Sequence, residues 1–340
     1  MRTLACAALV LPSLVACGCS PELPPNSSDA PRARVATEWP AYGGDHRGLR
    51  YSPLDEIGPG NVARLELAWS YRHGDVSEKG DPRGISSFQA TPILVDGILY
   101  FPTPLNRVIA LDPATGAEHW SYDPGLDPDT NHFLLLSRGV SAWRDATREA
   151  DASCARRIFT ATRDAFLIAL DAKTGRPCAD FGANGRVDLN PGAGPQLFRG
   201  EYGVTSAPEV IDDRVVVGSF VADNVRTDAP SGVVRAFDAR SGGLVWAWDL
   251  APPGYDYATR PKSAAGYALG TPNVWAPMSS DPSRDLVFVP TGNPAPDLYR
   301  GGDRADMDYY GSSVVALRAS TGEVVWRFQT VHHDLWDYDV

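Results

Sequence analysis

Ala110-Leu-Asp-Pro-Ala-Thr-Gly116, followed four residues on by Trp120, is a phrase that this chain repeats. It returns as Ala169-Leu-Asp-Ala-Lys-Thr-Gly175, as Ala236-Phe-Asp-Ala-Arg-Ser-Gly242 with Trp246, and as Ala316-Leu-Arg-Ala-Ser-Thr-Gly322 with Trp326. In three copies the Trp follows the Ala by the same ten residues; the copy at Ala169 leaves that register with Cys178-Ala179. Self-similarity of this kind signals a repeated architecture. Within each copy an apolar run reaches the Ala, the polar residues and Gly make a tight turn, and Val- and Trp-rich residues begin the return, which is a β-hairpin. Upstream of each stands another β-rich run, such as Ala90-Thr-Pro-Ile-Leu-Val-Asp-Gly-Ile-Leu-Tyr-Phe101, Arg157-Ile-Phe-Thr-Ala161, Ala207-Pro-Glu-Val-Ile-Asp-Asp-Arg-Val-Val-Val217 and Asp285-Leu-Val-Phe-Val-Pro290. Four antiparallel strands per unit, repeated in series, predict an all-β chain built as a β-propeller, with about four blades present. The copies start 59, 67 and 80 residues apart (Ala110, Ala169, Ala236, Ala316), longer than a minimal blade requires. The surplus predicts inserted loops, and loops on a rigid scaffold are where function concentrates.

Ahead of the repeats, Met1-Arg2 and the apolar stretch Leu4 to Ala16 have the form of a secretory signal, too short to span a bilayer. Leu14-Val15-Ala16-Cys17 has the form of a bacterial lipobox, which predicts lipidation of Cys17. Residues 1–17 are therefore expected to be a lipoprotein signal peptide, 18–36 a Pro- and Ser-rich flexible tether, and 37–340 the propeller. The expected location is the periplasm, with a lipid anchor in a membrane, by preference the outer one. Three of the five Cys (Cys6, Cys17 and Cys19) lie in the signal and the start of the tether, so Cys154 and Cys178 form the one pair in the folded part and are expected to bridge. No Cys-x-x-Cys-His occurs, which excludes covalent haem on this chain. A composition 43% hydrophobic, with 32 Gly and 29 Pro, suits a turn-rich globule with a sizeable core. The net charge of −11 and the lack of any Lys/Arg run argue against a nucleic-acid partner.

Two stretches carry a family resemblance: Trp39-Pro-Ala-Tyr-Gly-Gly-Asp-His-Arg-Gly-Leu-Arg-Tyr-Ser-Pro-Leu54 and Thr330-Val-His-His-Asp-Leu-Trp-Asp-Tyr-Asp339. With the repeats and their Trp, they resemble the PQQ-dependent (quinoprotein) dehydrogenases from Trp39 to Val340, and within them the quinoprotein glucose dehydrogenases. The resemblance implies an eight-bladed ring in which each Trp packs between neighbouring blades. It also implies oxidation of a sugar or alcohol by hydride transfer to PQQ bound on Ca²⁺, with electrons passed to ubiquinone or another periplasmic acceptor. With about four units, the chain is expected to be the N-terminal portion of such a ring, without the cationic residue over the quinone.

Taking a hydride from an alcohol requires a carboxylate for the hydroxyl proton and a cation to polarise the quinone carbonyl. By resemblance Asp337 is the catalytic base, with Asp334 the next choice. Ca²⁺ wants oxygen ligands. Asp223 and Asn224, in Gly218-Ser-Phe-Val-Ala-Asp-Asn-Val, match the family's acidic position, and Asn293, in Thr291-Gly-Asn-Pro-Ala-Pro-Asp, its amide ligand. PQQ is a planar tricarboxylate, so its pocket needs an aromatic floor with cations and donors at the rim. Trp275 matches the stacking residue, Arg138 the carboxylate-binding one, and Thr205 and Gln89 rim positions. Each residue alone has a plain structural reading. Asp-Asn and Gly-Asn-Pro form turns, Trp275 fills core, Arg138 is a surface charge, and the last carboxylates cap a loop with His332 and His333. Their arrival in the family's order supports the site.

Two departures bear on substrate. Where the alcohol-oxidising branch has adjacent Cys, this chain reads Phe133-Leu-Leu-Leu-Ser-Arg138, which points to the sugar branch. Trp143 stands where the membrane glucose dehydrogenases have a pocket His, which points the other way. Two other readings exist. One is a cofactor-free propeller lipoprotein serving as a binding scaffold in outer-membrane assembly, which accounts for the lipobox and repeats alone; the other is an inactive truncated remnant.

Overall fold

Three copies of the repeated phrase form the third and fourth strands of a four-stranded antiparallel meander, and the copy at Ala169 forms the third strand of another. The computed structural model describes residues 38–77, 81, 84–127, 132, 134–298 and 301–340, so the expected signal, Cys17 and the tether lie outside the described residues. The first blade comprises Ile93–Val95, Ile98–Pro102, Val108–Leu111 and Glu118–Tyr122, and the second Ser141–Arg144, Arg156–Ala161, Phe166–Asp171 and Arg186–Asp188. The third comprises Glu209–Ile211, Arg214–Val217, Val234–Asp238 and Leu244–Trp248, and the fourth Ser279–Asp281, Leu286–Thr291, Ser313–Arg318 and Val324–Gln329. Among the described residues the helical segments are 3-10 turns, and no helix is long and apolar enough to cross a membrane.

The ten-residue interval has a direct structural meaning. Ala110 lies opposite Trp120, Ala236 opposite Trp246 and Ala316 opposite Trp326, and a register shift follows the Ala each time. The turn between them closes on its own side chains. Asp112 Oδ1 accepts the N–H groups of Ala114 and Thr115 at 3.0 and 2.7 Å, and Gly116 takes a φ of +71° that residues with a Cβ rarely adopt.

That turn is also where blades join. A Cβ on Gly175 would stand 2.5 Å from the Trp120 ring, and one on Gly322 would stand 2.7 Å from Trp246, so each glycine gives the preceding blade's indole a flat seat. The indole N–H then donates to the carbonyl at a fixed repeat position: Trp120 to Ala172 at 2.9 Å and Trp246 to Ala319 at 2.8 Å. Trp69 docks likewise on the first blade, with its Nε1 3.1 Å from Pro113 O.

The second blade has no such Trp, and the structure shows what replaces it. Arg157, fully buried, donates from Nη1 to Ala239 O and Arg240 O at 3.1 and 2.7 Å, the carbonyl seat that an indole takes elsewhere. The loop that breaks the register delivers Gly182 N–H to Ser241 O at 2.8 Å. It is tied back by the Cys154–Cys178 disulfide, Cα to Cα 5.9 Å. Trp143 is buried here, with the Arg157 and Arg240 guanidiniums 5.6 and 5.1 Å from its ring.

The core accordingly lies between successive sheets. Ile93 and Val108 pack with Ile158 and Leu170, Phe159 and Leu167 with Val215 and Phe237, and Val216 and Val234 with Val287 and Val315. In an antiparallel meander the first strand begins and the second ends at the same end of the sheet. Segments inserted at those two places converge there.

Candidate functional site

Arg138, Thr205 and Trp275 each stand three or four residues before the first strand of their blade. The repeat thus brings them to one end of the fold, and hydrogen bonds lace them together. Thr91 N–H donates to Arg138 O and Arg138 N–H to Thr205 O, both at 2.9 Å. Thr205 Oγ1 donates to Trp275 O at 3.1 Å, as do Arg138 Nη1 at 3.2 Å and the hydroxyl of Ser206. The Arg138 guanidinium lies 4.7 Å from the Trp275 ring centroid, a cation–π contact.

The segments after the second strands supply the acids. Asp223 and Asn224 follow the second strand of blade three, and Asn293 and Asp297 that of blade four. Bare glycines let the Trp275 segment lie flat between them: a Cβ on Gly218 would stand 2.3 Å from Val274 O, and one on Gly232 would stand 1.8 Å from Pro272 O. Asn273, fully buried, donates Nδ2 to Asp223 Oδ2 at 2.7 Å. Asp339 accepts from Trp275 Nε1 at 3.0 Å across Gly292, whose missing Cβ leaves the room.

These residues surround a cavity of about 250 Å³ lined by Arg138, Arg163, Thr205, Phe220, Asp223, Asn224, Trp275, Asp297, Asp337 and Asp339, with Leu134, Leu136 and Val221 as its apolar part. Asn293 is buried just behind the acids, its Oδ1 accepting from Ser312 Oγ at 2.9 Å. Gln89 does not join them; it is exposed, with Nε2 on Ser87 Oγ at 3.2 Å. Sequence reasoning did not assign Asn273, Asp297, Asp339 or Arg163. Asp297 and Asp339 stand inside quoted motifs, and their carboxyl groups were the available signal.

The cavity is electrostatically polarised. Burial pushes the Asp223 carboxyl up to about 7, with Asp297 adding to it, and pushes Asp297 up to about 7, with Asp337 adding. Burial raises Asp337 and Asp339 as well, and neighbouring carboxylates add to both. Like charges in a low-dielectric space disfavour ionisation, the pattern expected of functional clusters. Asp334 behaves in the opposite way. Burial acts on it too, but the N–H groups of Trp336 and Tyr338, at 2.9 and 2.7 Å, outweigh that and hold it below the ordinary range. Its carboxylate is the cap that shapes the loop, while Asp337, with a left-handed φ of +60°, borders the cavity.

Oxygen acceptors without donors suit a hard cation. The buried Oδ1 atoms of Asn273, Asp297 and Asp339 reach no hydrogen-bond partner. Among the described residues the one trio of acidic, His or Cys ligand atoms within 4.8 Å of one another is Cys154, Cys178 and Asp180, whose sulfurs the disulfide consumes. The acidic cavity is therefore an incomplete shell; a cation there would need further oxygens from water or from a bound ligand.

Comparison with known proteins agrees with this geometry. The family model for the PQQ glucose/ethanol/alcohol dehydrogenase β-propeller domain matches residues 39–340. Quinoprotein glucose dehydrogenase A of Acinetobacter calcoaceticus is 38% identical over 328 residues, covering 93% of this chain and 40% of the relative. Quinoprotein glucose dehydrogenase of Escherichia coli (strain K12) is 40% identical over 307 residues, 89% of this chain and 38% of the relative. The solved quinohemoprotein alcohol dehydrogenase from Comamonas testosteroni superposes with a TM-score of 0.67 at 28% identity, covering 89% of this chain and 42% of that one. The chain spans about two fifths of the length of the curated relatives it matches.

Proposed function

The chain belongs to the PQQ-dependent glucose/ethanol/alcohol dehydrogenase family, and from that premise we propose that its cavity holds PQQ with a Ca²⁺ ion for the oxidation of a sugar or alcohol. One observation carries the reading: an indole, two guanidiniums and four carboxylates from three blades converge on one 250 Å³ space. Asp223 and Asn293 would hold the cation, Trp275 would floor the planar ring, and Arg138 and Thr205 would meet its carboxylates. PQQ, when bound, supplies the electrophilic quinone carbonyl and completes the oxygen shell of the ion. Asp337 takes the substrate's hydroxyl proton. Burial and its acidic neighbours make it a stronger base than a solvated carboxylate, whereas Asp334 is saturated by the donors of its own loop.

A sugar substrate is supported by the absence of adjacent Cys before Arg138 and by the glucose dehydrogenases among the relatives. Trp143, buried against Arg157 and Arg240, does not line the cavity. The lipobox at Cys17 supports export to the periplasm and a lipid anchor, which would bring the site to ubiquinone or another acceptor at the membrane.

The test is a titration of the protein with PQQ, with and without Ca²⁺, followed by PQQ absorbance and tryptophan quenching, beside an Asp223→Ala variant. Saturable binding that needs Ca²⁺ and weakens at least about tenfold in the variant is the expected result. A folded chain that binds no PQQ would sink the reading.

A further inference from the structure

Arg163 lies between the second and third strands of blade two and is fully buried. Its Nη2 donates to His132 O at 2.9 Å and to Gly200 O at 3.4 Å, and its guanidinium stacks 4.1 Å over Phe220. Nε and Nη1 reach no acceptor. Two other buried or partly buried arginines have carboxylates, Arg157 with Asp180 at 2.7 Å and Arg226 with Glu201 at 2.7 Å, while buried Arg235 donates to Leu189 O, Pro191 O and Tyr202 Oη. Asp164, next along the chain, bonds Thr162 and lines a separate cavity of about 600 Å³. Burial lowers Arg163 to about 9, with Arg138 adding repulsion, so at neutral pH it stays charged.

A buried charge with two idle donors is costly in isolation and suits a ligand anion. Its setting is built to hold it. A Cβ on Gly203 would stand 2.8 Å from Nη1, so the bare glycine opposite the Phe220 strand is what leaves room for the guanidinium. Arg163 lines the same cavity as Arg138, Thr205 and Trp275.

We propose that Arg163 is a second carboxylate-receiving residue of this cavity, meeting an anionic group of a planar aromatic polycarboxylate together with Arg138. The inference rests on the cofactor reading above, and its test separates the two. Three probes are titrated by calorimetry in Ca²⁺ buffer into the wild-type chain, Arg163→Met and Arg163→Lys: PQQ, its trimethyl ester and benzene-1,2,4-tricarboxylate.

The expected result for Arg163→Met is a loss of about tenfold to a hundredfold in affinity for PQQ and a parallel loss for the tricarboxylate, as for a lost charge-assisted hydrogen bond. The ester's affinity stays the same in both proteins, and Arg163→Lys recovers part of the loss for the acids. Unchanged PQQ affinity in Arg163→Met, or equal losses for acid and ester, overturns the role of Arg163 and leaves the cofactor reading standing. Wild type that binds the tricarboxylate through Arg163 but not PQQ keeps the anion site and overturns the quinoprotein reading. Binding of no probe overturns both. Should Arg163→Met fail to melt cooperatively, the acid-against-ester comparison in Arg163→Lys decides on the same terms.

Discussion

Asp334 and Asp337 are three residues apart, share a residue type and differ in role because of what surrounds each carboxyl group. Donors converge on Asp334, and like charges converge on Asp337. The same physics predicts a pH dependence. Asp223 and Asp297 have folded values near 7 against an ordinary 3.8, so the folded state holds protons that the unfolded chain releases. Their contribution to stability is full below about pH 4 and is lost as pH rises through about 7. A cation that binds the ionised forms relieves that loss and competes with the protons. Ca²⁺ is therefore expected to raise the melting temperature more at pH 8 than at pH 5, and Asp223→Ala to lose the difference. Equal Ca²⁺ shifts at the two pH values would count against a cation among these carboxylates.

The element that repeats is a turn with a seat. Gly175 combines a φ of +69° with an indole 2.5 Å from where its Cβ would be, so it has neither the conformational freedom nor the space for a side chain. Gly175→Ala is expected to cost more than about 1 kcal/mol, from the backbone conformation alone before any displacement of Trp120 is counted. Gly254, also at positive φ but with nothing within 4 Å, is the control, since its replacement meets only the backbone term. Denaturant midpoints of the two variants decide the matter; indistinguishable losses would mean that the indole seat contributes nothing. At the joint between blades two and three, the Arg157 guanidinium takes the carbonyl seat, while Gly182 and Val187 lie against Gly242 where an indole would rest.

For the whole molecule, the cavity links blades two, three and four through Arg138 and Arg163, Thr205 and Asp223, and Trp275 and Asp297. A ligand that binds there favours the folded state of all three, by about 2.7 kcal/mol at a hundredfold excess over its Kd. PQQ with Ca²⁺ is expected to raise the melting temperature in proportion to the logarithm of its concentration, and PQQ without Ca²⁺ to do much less. A melting temperature indifferent to PQQ at saturating Ca²⁺ would contradict a site shared by three blades.

The amino-acid sequence by itself determined the hairpins and the blades that they build. A hairpin and its docking seat are local, so the Ala, the Asp or its substitute, the Gly and the Trp report them at fixed spacing. Arg138, Thr205 and Trp275 were named through the family resemblance, and the strand positions show that they stand at equivalent places, three or four residues ahead of the first strand of their blades. Gln89 occupies the corresponding place in blade one, yet its side chain turns to Ser87, because equivalence of backbone position does not set a rotamer. Only the tertiary structure decided that Arg157 takes the Trp's place, that Asp334 caps a loop while Asp337 borders a cavity, and that Asn273, Asp297, Asp339 and Arg163 join the site. Arg157 reaches a carbonyl 82 residues away, Asn273 a carboxylate 50 residues away, and the cavity gathers side chains from Leu134 to Asp339. Burial and like-charge proximity are properties of the assembled space and leave no periodic trace along the chain.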